Sequence, residues 1–307
     1  MKIALGLPFL ECPPNPAFLS GGAIGSLGRA AEDAGFAAVY LTEHPAPSQR
    51  WRVAGGHDAL DPFVGLSFVA AATSRLRLLT YLVVLPYRNP FLLAKSVASL
   101  DVLSGGRVEL GLGAGYQKGE FHALGVDFEE RNRLFDEALE VLPLAWSGEP
   151  VEYQGLHFAA RDTACHPRPA QHPHPPLWLG GNSKLTRRRV VEHRTGWMPM
   201  PNSAATAATL RSPVLETMDQ LADMLTDCKE YADGVGLPGP TEIMYVLPGM
   251  AAGAGAGTFA PQLELARQAR DLGVTWLAVG GHATSLDDML RLTDRFQSAV
   301  IAPLASD

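Results

Sequence analysis

The sequence predicts an α/β protein. The expected form is one (β/α)8 barrel of the TIM type over residues 1–307, with an insertion at about 148–176 after the fourth β-α unit. Three observations predict it. A shared grammar of helical pattern, glycine and short apolar strand runs through "AEDAGFAAVYLTEH", "VEHRTGWMPM" and "ARDLGVTWLAVGGH". Eight strand-like segments fall near 3–9, 37–42, 76–85, 107–113, 176–180, 196–200, 242–247 and 275–280, with helical patterns between them. Runs such as "RLLTYLVVLP" and "TWLAVGG" are continuously apolar, as suits parallel strands covered on both sides by helices.

The first strand opens the chain in "MKIALGLPFLECPP", where Glu11 and prolines follow in place of the small-residue cleavage site of a signal peptide. Gly35, Gly196 and Gly273 are expected as left-handed helix ends that turn the chain into strands two, six and eight. The clearest helix is 130–146, where Phe135, Ala138, Leu139, Leu142 and Trp146 share one stripe. Leu93, Val97 and Leu100 repeat the pattern after Pro90, as do Met218, Leu221, Leu225 and Cys228. Residues 148–176 carry six prolines and an alternating "VEYQGLHF" that suits a hairpin. Residues 201–213 and "AAGAGAGTFA" at 251–260 are expected as loops after strands six and seven.

Composition narrows the function classes. With 47% hydrophobic and 19% charged residues the chain can bury a large core, and a net charge of −7 offers no basic face to nucleic acid. No apolar run is long enough to cross a bilayer, so no membrane partner is expected. Cys12, Cys165 and Cys228 are far apart and odd in number, which suggests neither a disulfide framework nor a CxxC motif and fits a reducing cytoplasm. His166, His172 and His174 lie in the proline-rich insertion without a ligand spacing, so no metal is expected.

In a barrel of this kind chemistry collects at the C-terminal strand ends. Strand two ends in Glu43 and His44, and the loop that follows brings Trp51 and His57 over the same end. Histidine suits proton transfer near neutral pH, while Glu43 suits either a ligand hydrogen bond or an ion pair. Strand three ends in Tyr87, Arg88 and Asn89, and strand eight in Gly280, Gly281 and His282. Phe9, Trp51, Tyr87, Met198 and Met200 suggest an apolar substrate pocket with His57 and His282. Strand five ends in "GGNS": Gly180 and Gly181 allow close backbone approach, and Asn182, Ser183 and Thr186 sit on a helix start whose free N–H groups suit either a phosphate or a plain cap. Arg187, Arg188 and Arg189 are consecutive and point about 100° apart, so they cannot all face one anion. In "ELGLGAGYQKGEF" the dinucleotide pattern G-x-G-x-x-G fails in both registers, at Tyr116 and at Lys118.

Taken in order, "YLTEHPAP", "GGHDALDPFVGLSFVAAATSRLRLLTYLVVLPYRNPFLLAKSVASLDVLSGGRVELGLGAGYQKGEF" and "HPPLWLGGNSKLTRRR" resemble the bacterial luciferase-like superfamily, most closely its coenzyme F420-dependent oxidoreductases. The resemblance implies a deazaflavin or flavin ring at the C-terminal mouth, beside Glu43 and His44 as catalytic residues. It implies a non-prolyl cis bulge behind the ring at Tyr81 and Leu82, a cofactor border at Gly113, Ala114 and Gly115, and a phosphate held by Gly180, Gly181, Asn182, Ser183 and Thr186. Bacterial luciferase has a phosphate-binding arginine at the position of Ala114, which favours F420 over FMN here. The catalytic glutamate that sugar-phosphate dehydrogenases carry in this glycine turn is missing. The implied activity is hydride transfer between F420 and a small-molecule substrate, with His44 handling the proton. The alternatives are an FMN-dependent monooxygenase and a non-catalytic flavin-binding barrel. The resemblance also implies a homodimer.

Overall fold

A computed structural model describes residues 1–9, 12–210, 212–247, 259–281 and 283–306. Among these residues ten strands form in chain order: β1 (Lys2–Gly6), β2 (Ala38–Leu41), β3 (Arg77–Val84), β4 (Val108–Gly113), β5 (Val151–Gln154), β6 (Ala159–Thr163), β7 (Leu177–Gly180), β8 (Gly196–Met198), β9 (Met244–Val246) and β10 (Trp276–Val279). Eight pair in parallel in the order β8-β7-β4-β3-β2-β1-β10-β9. A parallel bridge between Trp197 and Ile243, with Trp197 N–H donating to Glu242 O at 2.9 Å, joins the two ends of that order into a barrel. All eight expected strands are present, and β5 and β6 form the antiparallel hairpin expected at "VEYQGLHF".

Alternation along each strand sorts the side chains. Ile3, Leu5, Val39, Leu41, Leu277 and Val279 join the large core shared with the helices, whereas Ala4, Ala38, Tyr40, Leu79, Tyr81, Trp178, Met198 and Trp276 form a separate cluster inside the barrel. The helix Arg131–Trp146 buries all five residues of its expected stripe. Other helices begin where side chains cap them: Asp61 for Pro62–Ala72, Asn89 for Pro90–Ser104, Ser183 for Lys184–Glu192 and Thr217 for Met218–Val235. No helix among the described residues is long and apolar enough to cross a membrane.

The N-terminal ends of the strands are closed by polar groups. Glu109 pairs with Arg77 and accepts from Trp178 Nε1 at 2.7 Å. Glu242 accepts from Lys2 Nζ at 2.9 Å and Trp276 Nε1 at 2.6 Å, and the two indoles meet edge to face. Gln171, from the segment leading into β7, accepts from Arg77 and donates to Asp101 and Val108 O.

Two expectations need correction. Gly35 and Gly273 do adopt positive φ (84° and 94°), but the third helix end is turned by Arg194 (φ 53°), not by Gly196. Gly196 instead begins β8, where a Cβ would strike the Trp178 ring, so its smallness serves packing inside the barrel. Residues 201–213 are not simply loop, because Ala204–Leu210 is helical; residues 251–258 of the other expected loop lie outside the described residues.

Candidate active site

The chain leaves β2 at Leu41 and reaches Glu43 and His44 at the barrel mouth. Glu43 is 4% exposed and both its oxygens are hydrogen-bonded: Oε2 accepts from Val84 N at 2.7 Å and Oε1 from Arg88 Nε at 2.7 Å. Arg88 continues to Asp61 Oδ2 at 2.7 Å, and Asp61 Oδ1 caps the helix Pro62–Ala72. Burial pushes the Glu43 carboxyl up, against the pull of Arg88 and the Val84 N–H. Glu43 therefore ties the end of β2 to the end of β3, just past a cis peptide at Tyr81–Leu82 and a register shift between Thr80 and Val83. The expected cis bulge is there. Glu43, expected as a catalytic residue, here holds Val84 N and Arg88.

The acid beside His44 comes from elsewhere. Glu120, fully buried on the short helix Lys118–Ala123 after the glycine turn, places Oε2 3.0 Å from His44 Nδ1. It also accepts from Ala46 N at 3.2 Å and from Tyr87 OH at 3.2 Å. Burial, and then the Glu120 carboxyl, push the Tyr87 phenol well above its ordinary range, so it remains a donor. Facing an acceptor, His44 Nδ1 carries the proton, and Nε2 is left for chemistry. This is the orientation a positioned acid-base histidine needs.

Trp51 and His57 converge on the same imidazole. The His44 ring centroid lies 4.5 Å from that of Trp51, 4.9 Å from His57 and 6.3 Å from Tyr116. Trp51 stands on an unanticipated short helix, Gln49–Val53, capped by Ser48. Burial pushes the Tyr116 phenol up to about 12. Next to Tyr116, Gln117 Nε2 is buried without a hydrogen-bond partner among the described residues. An orphaned buried donor at the mouth is a position that a bound group would satisfy.

The other expected contacts divide. A Cβ at Gly113 or at Gly180 would strike Leu82, so these glycines make room for the bulge that Leu82 forms. Gly115 (φ 76°) gives way to Val84 and Phe121, and Ala114 is half-buried beside it. Gly181 (φ 123°), Ser183 and Thr186 form a half-buried turn in which Ser183 Oγ accepts from Thr186 N at 3.0 Å and meets its hydroxyl at 2.9 Å. Asn182 is fully buried and donates to Met200 O and Pro213 O while accepting from Met200 N, which leaves no side-chain donor for a phosphate. Arg187 is committed to Asp227 and Asn182 O, Arg189 to Asp136 and Asn132, and Arg188 is exposed beside Tyr231. Phe9 (2% exposed) belongs to the main core and Met198 (0%) to the barrel interior, so neither lines an open pocket. His282 lies outside the described residues.

Residues 19–217 match the family model described as luciferase-like monooxygenase. The chain belongs to that family. Among its curated relatives is the uncharacterized protein Rv0953c of Mycobacterium tuberculosis, 30% identical over 223 residues, covering 68% of this chain and 74% of that protein. The fold of the luciferase-like chain matches the monooxygenase RslO1 from Streptomyces bottropensis with a TM-score of 0.77 at 21% identity, over 99% and 100% of the two chains. It matches an F420-dependent secondary alcohol dehydrogenase in complex with an F420-acetone adduct with a TM-score of 0.72 at 15% identity, over 98% of each. A coenzyme F420-dependent tetrahydromethanopterin reductase from Methanopyrus kandleri gives 0.69 at 16% identity, over 98% and 99%. The luciferase-like barrel is thus shared by enzymes that use F420 and by a monooxygenase.

Proposed function

We propose that the protein is an F420-dependent oxidoreductase acting on a small organic substrate at the C-terminal mouth of its barrel. The observation that carries this reading is the His44–Glu120 pair: a buried carboxylate holds Nδ1 of an imidazole at the mouth and leaves Nε2 to exchange a proton. The residues at the mouth fit a deazaflavin. Gln117 Nε2 lacks a partner, Leu82 is half-buried on its cis bulge, and Ala114 presents no cationic side chain for a flavin phosphate. Leu82, Ala114 and Gly115 would border the ring system, and Gly181, Ser183 and Thr186 would meet its phosphate through the first turn of the helix Lys184–Glu192.

The chemistry that F420 supplies when bound is hydride transfer at its C5. His44 Nε2 takes a proton from a substrate hydroxyl or returns it to the nascent alkoxide. Glu120 fixes the tautomer and stabilises the imidazolium, and Tyr87 and the Ala46 N–H orient Glu120 in turn. Trp51 and His57 shield this imidazole from bulk water.

An FMN-dependent monooxygenase is the second reading, favoured by the family description and by the likeness to RslO1. Titrating the purified chain with F420 and with FMN, followed by absorbance and fluorescence, separates the two. F420 binding is expected; tight FMN binding without F420 binding overturns the first reading. The reading extends to a homodimer in the cytoplasm; Val64 and Phe68 on the helix Pro62–Ala72 and Leu92 and Leu103 on Pro90–Ser104 are exposed apolar side chains that a second copy would cover.

A further inference from the structure

His57 has a fixed tautomer. Its Nδ1 lies 3.0 Å from Asp58 O, and a backbone carbonyl only accepts, so Nδ1 carries the proton and Nε2 is a bare acceptor. The same argument applies to His44, whose Nδ1 faces Glu120. Two imidazoles 4.9 Å apart thus each keep Nε2 free, with no hydrogen-bond partner for either among the described residues. Burial lowers the His57 pKa, in keeping with a neutral acceptor.

The segment carrying His57 is held firmly enough to discriminate. Arg52 grips Asp58 with two parallel hydrogen bonds, Nε to Oδ1 at 2.7 Å and Nη2 to Oδ2 at 2.6 Å, closing the turn between Trp51 and His57. Trp51 packs 5.5 Å from His57 and on the other imidazole at 4.5 Å. An acceptor fixed beside an indole selects a flat apolar body that carries a hydrogen-bond donor.

We infer that His57 is a specificity-determining residue of this site, its Nε2 accepting a hydrogen bond from a hydroxyl group on a ring-bearing substrate whose apolar body rests against Trp51. The inference rests on the mouth being the active site, and it adds a class to the substrate: hydroxylated ring compounds are taken in preference to their ethers or hydrocarbons. His44 exchanges the reacting proton, whereas His57 holds a hydroxyl without removing its proton. A site built around an acceptor loses affinity for an analogue that cannot donate, because the acceptor gives up its water with no bond in exchange.

The test compares phenol with anisole, which differ at the donor hydrogen, on the full-length chain with and without F420. Binding and the ring nitrogens of His57 are followed by ¹H–¹⁵N spectroscopy. The wild type should show the Nδ1–H tautomer at His57, bind phenol about tenfold more tightly than anisole, and shift Nε2 of His57 on phenol binding. His57→Phe should abolish the preference, and His57→Gln, whose amide oxygen can accept, should restore part of it. A preference that survives His57→Phe, an Nε2–H tautomer, or no phenol binding in either state overturns the inference. The wild-type tautomer and phenol shift decide the matter even where a variant does not fold. Failure to bind either F420 or FMN would instead strike the proposed cofactor chemistry, a result the phenol comparison does not touch.

Discussion

The two ends of the barrel are built from the same residue types and differ in what their carboxylates meet. At the N-terminal end Glu109 and Glu242 each meet a cation and an indole N–H, and Gln171 fills in between Arg77 and Asp101. At the C-terminal end Glu43 and Glu120 are buried like Glu109, yet beside them His44 Nε2, His57 Nε2 and Gln117 Nε2 have no partner among the described residues. A carboxylate whose neighbours are all satisfied is a plug. One that leaves an imidazole nitrogen free is a candidate for chemistry. Position reinforces the difference, since the plug residues lie on or next to the strands themselves, whereas the mouth residues stand on segments that extend beyond them.

The largest effect expected from breaking this asymmetry is at His44. His44→Ala should lower kcat by about a thousandfold, the scale of lost acid-base catalysis, with cofactor binding and thermal stability close to wild type. Glu120→Gln should lower kcat by a comparable factor, because the amide can still hold the ring but can present its N–H₂ to Nδ1 and favour the wrong tautomer. Turnover on the F420-bound chain checks both; unchanged turnover in His44→Ala with cofactor still bound removes His44 from the mechanism.

At the opposite end the sign of the experiment reverses. Glu109→Gln removes one partner of a buried pair and leaves Arg77 without its counter-charge. Fully buried pairs broken in this way lose about 3–5 kcal/mol, and because Arg77 retains some solvent contact about 2–3 kcal/mol is expected. Thermal or urea unfolding should register that loss while kcat, measured below the melting range, stays at the wild-type value. A kcat that falls as steeply as stability would mean that the two ends are not independent.

How much of this was legible in the sequence follows from the range of the interactions involved. The eight strands could be read because continuous apolar runs and glycine stops are local signals, and His44 because a strand end places it whatever the helices do. Glu120 could not. In "YQKGEFHAL" it has the look of a solvated helix residue, and only the packing of a short helix under the β2 loop buries it against His44, 76 residues away. Its one local hint was Phe121, a fully buried neighbour in a short polar stretch. Adjacency in sequence does not make Glu43 the hydrogen-bond partner of His44: successive residues point apart, and Glu43 meets Val84 N and Arg88 at the end of β3. Arg194 replaced Gly196 as the left-handed residue because the space beside Trp178 claimed the glycine.

The smallest expected effect concerns a third carboxylate, which belongs with the plug. Glu32, at the C-terminal end of the helix Gly21–Asp33, accepts from Ser74 N at 3.0 Å, Arg75 N at 2.7 Å, Leu76 N at 2.8 Å and Ser74 Oγ at 3.1 Å, fixing the turn that feeds β3 into the barrel floor. Partial burial opposes ionisation, but these donors outweigh it and hold the carboxyl at about 2 against an ordinary 4.5. A carboxylate depressed in the folded state stabilises it fully above the unfolded pKa, and that contribution fades as pH falls from 4.5 through 2. Wild type should therefore lose melting temperature over this window more steeply than Glu32→Gln, which should start lower at neutral pH and converge with wild type in acid. Parallel curves would show that the turn is held by packing alone.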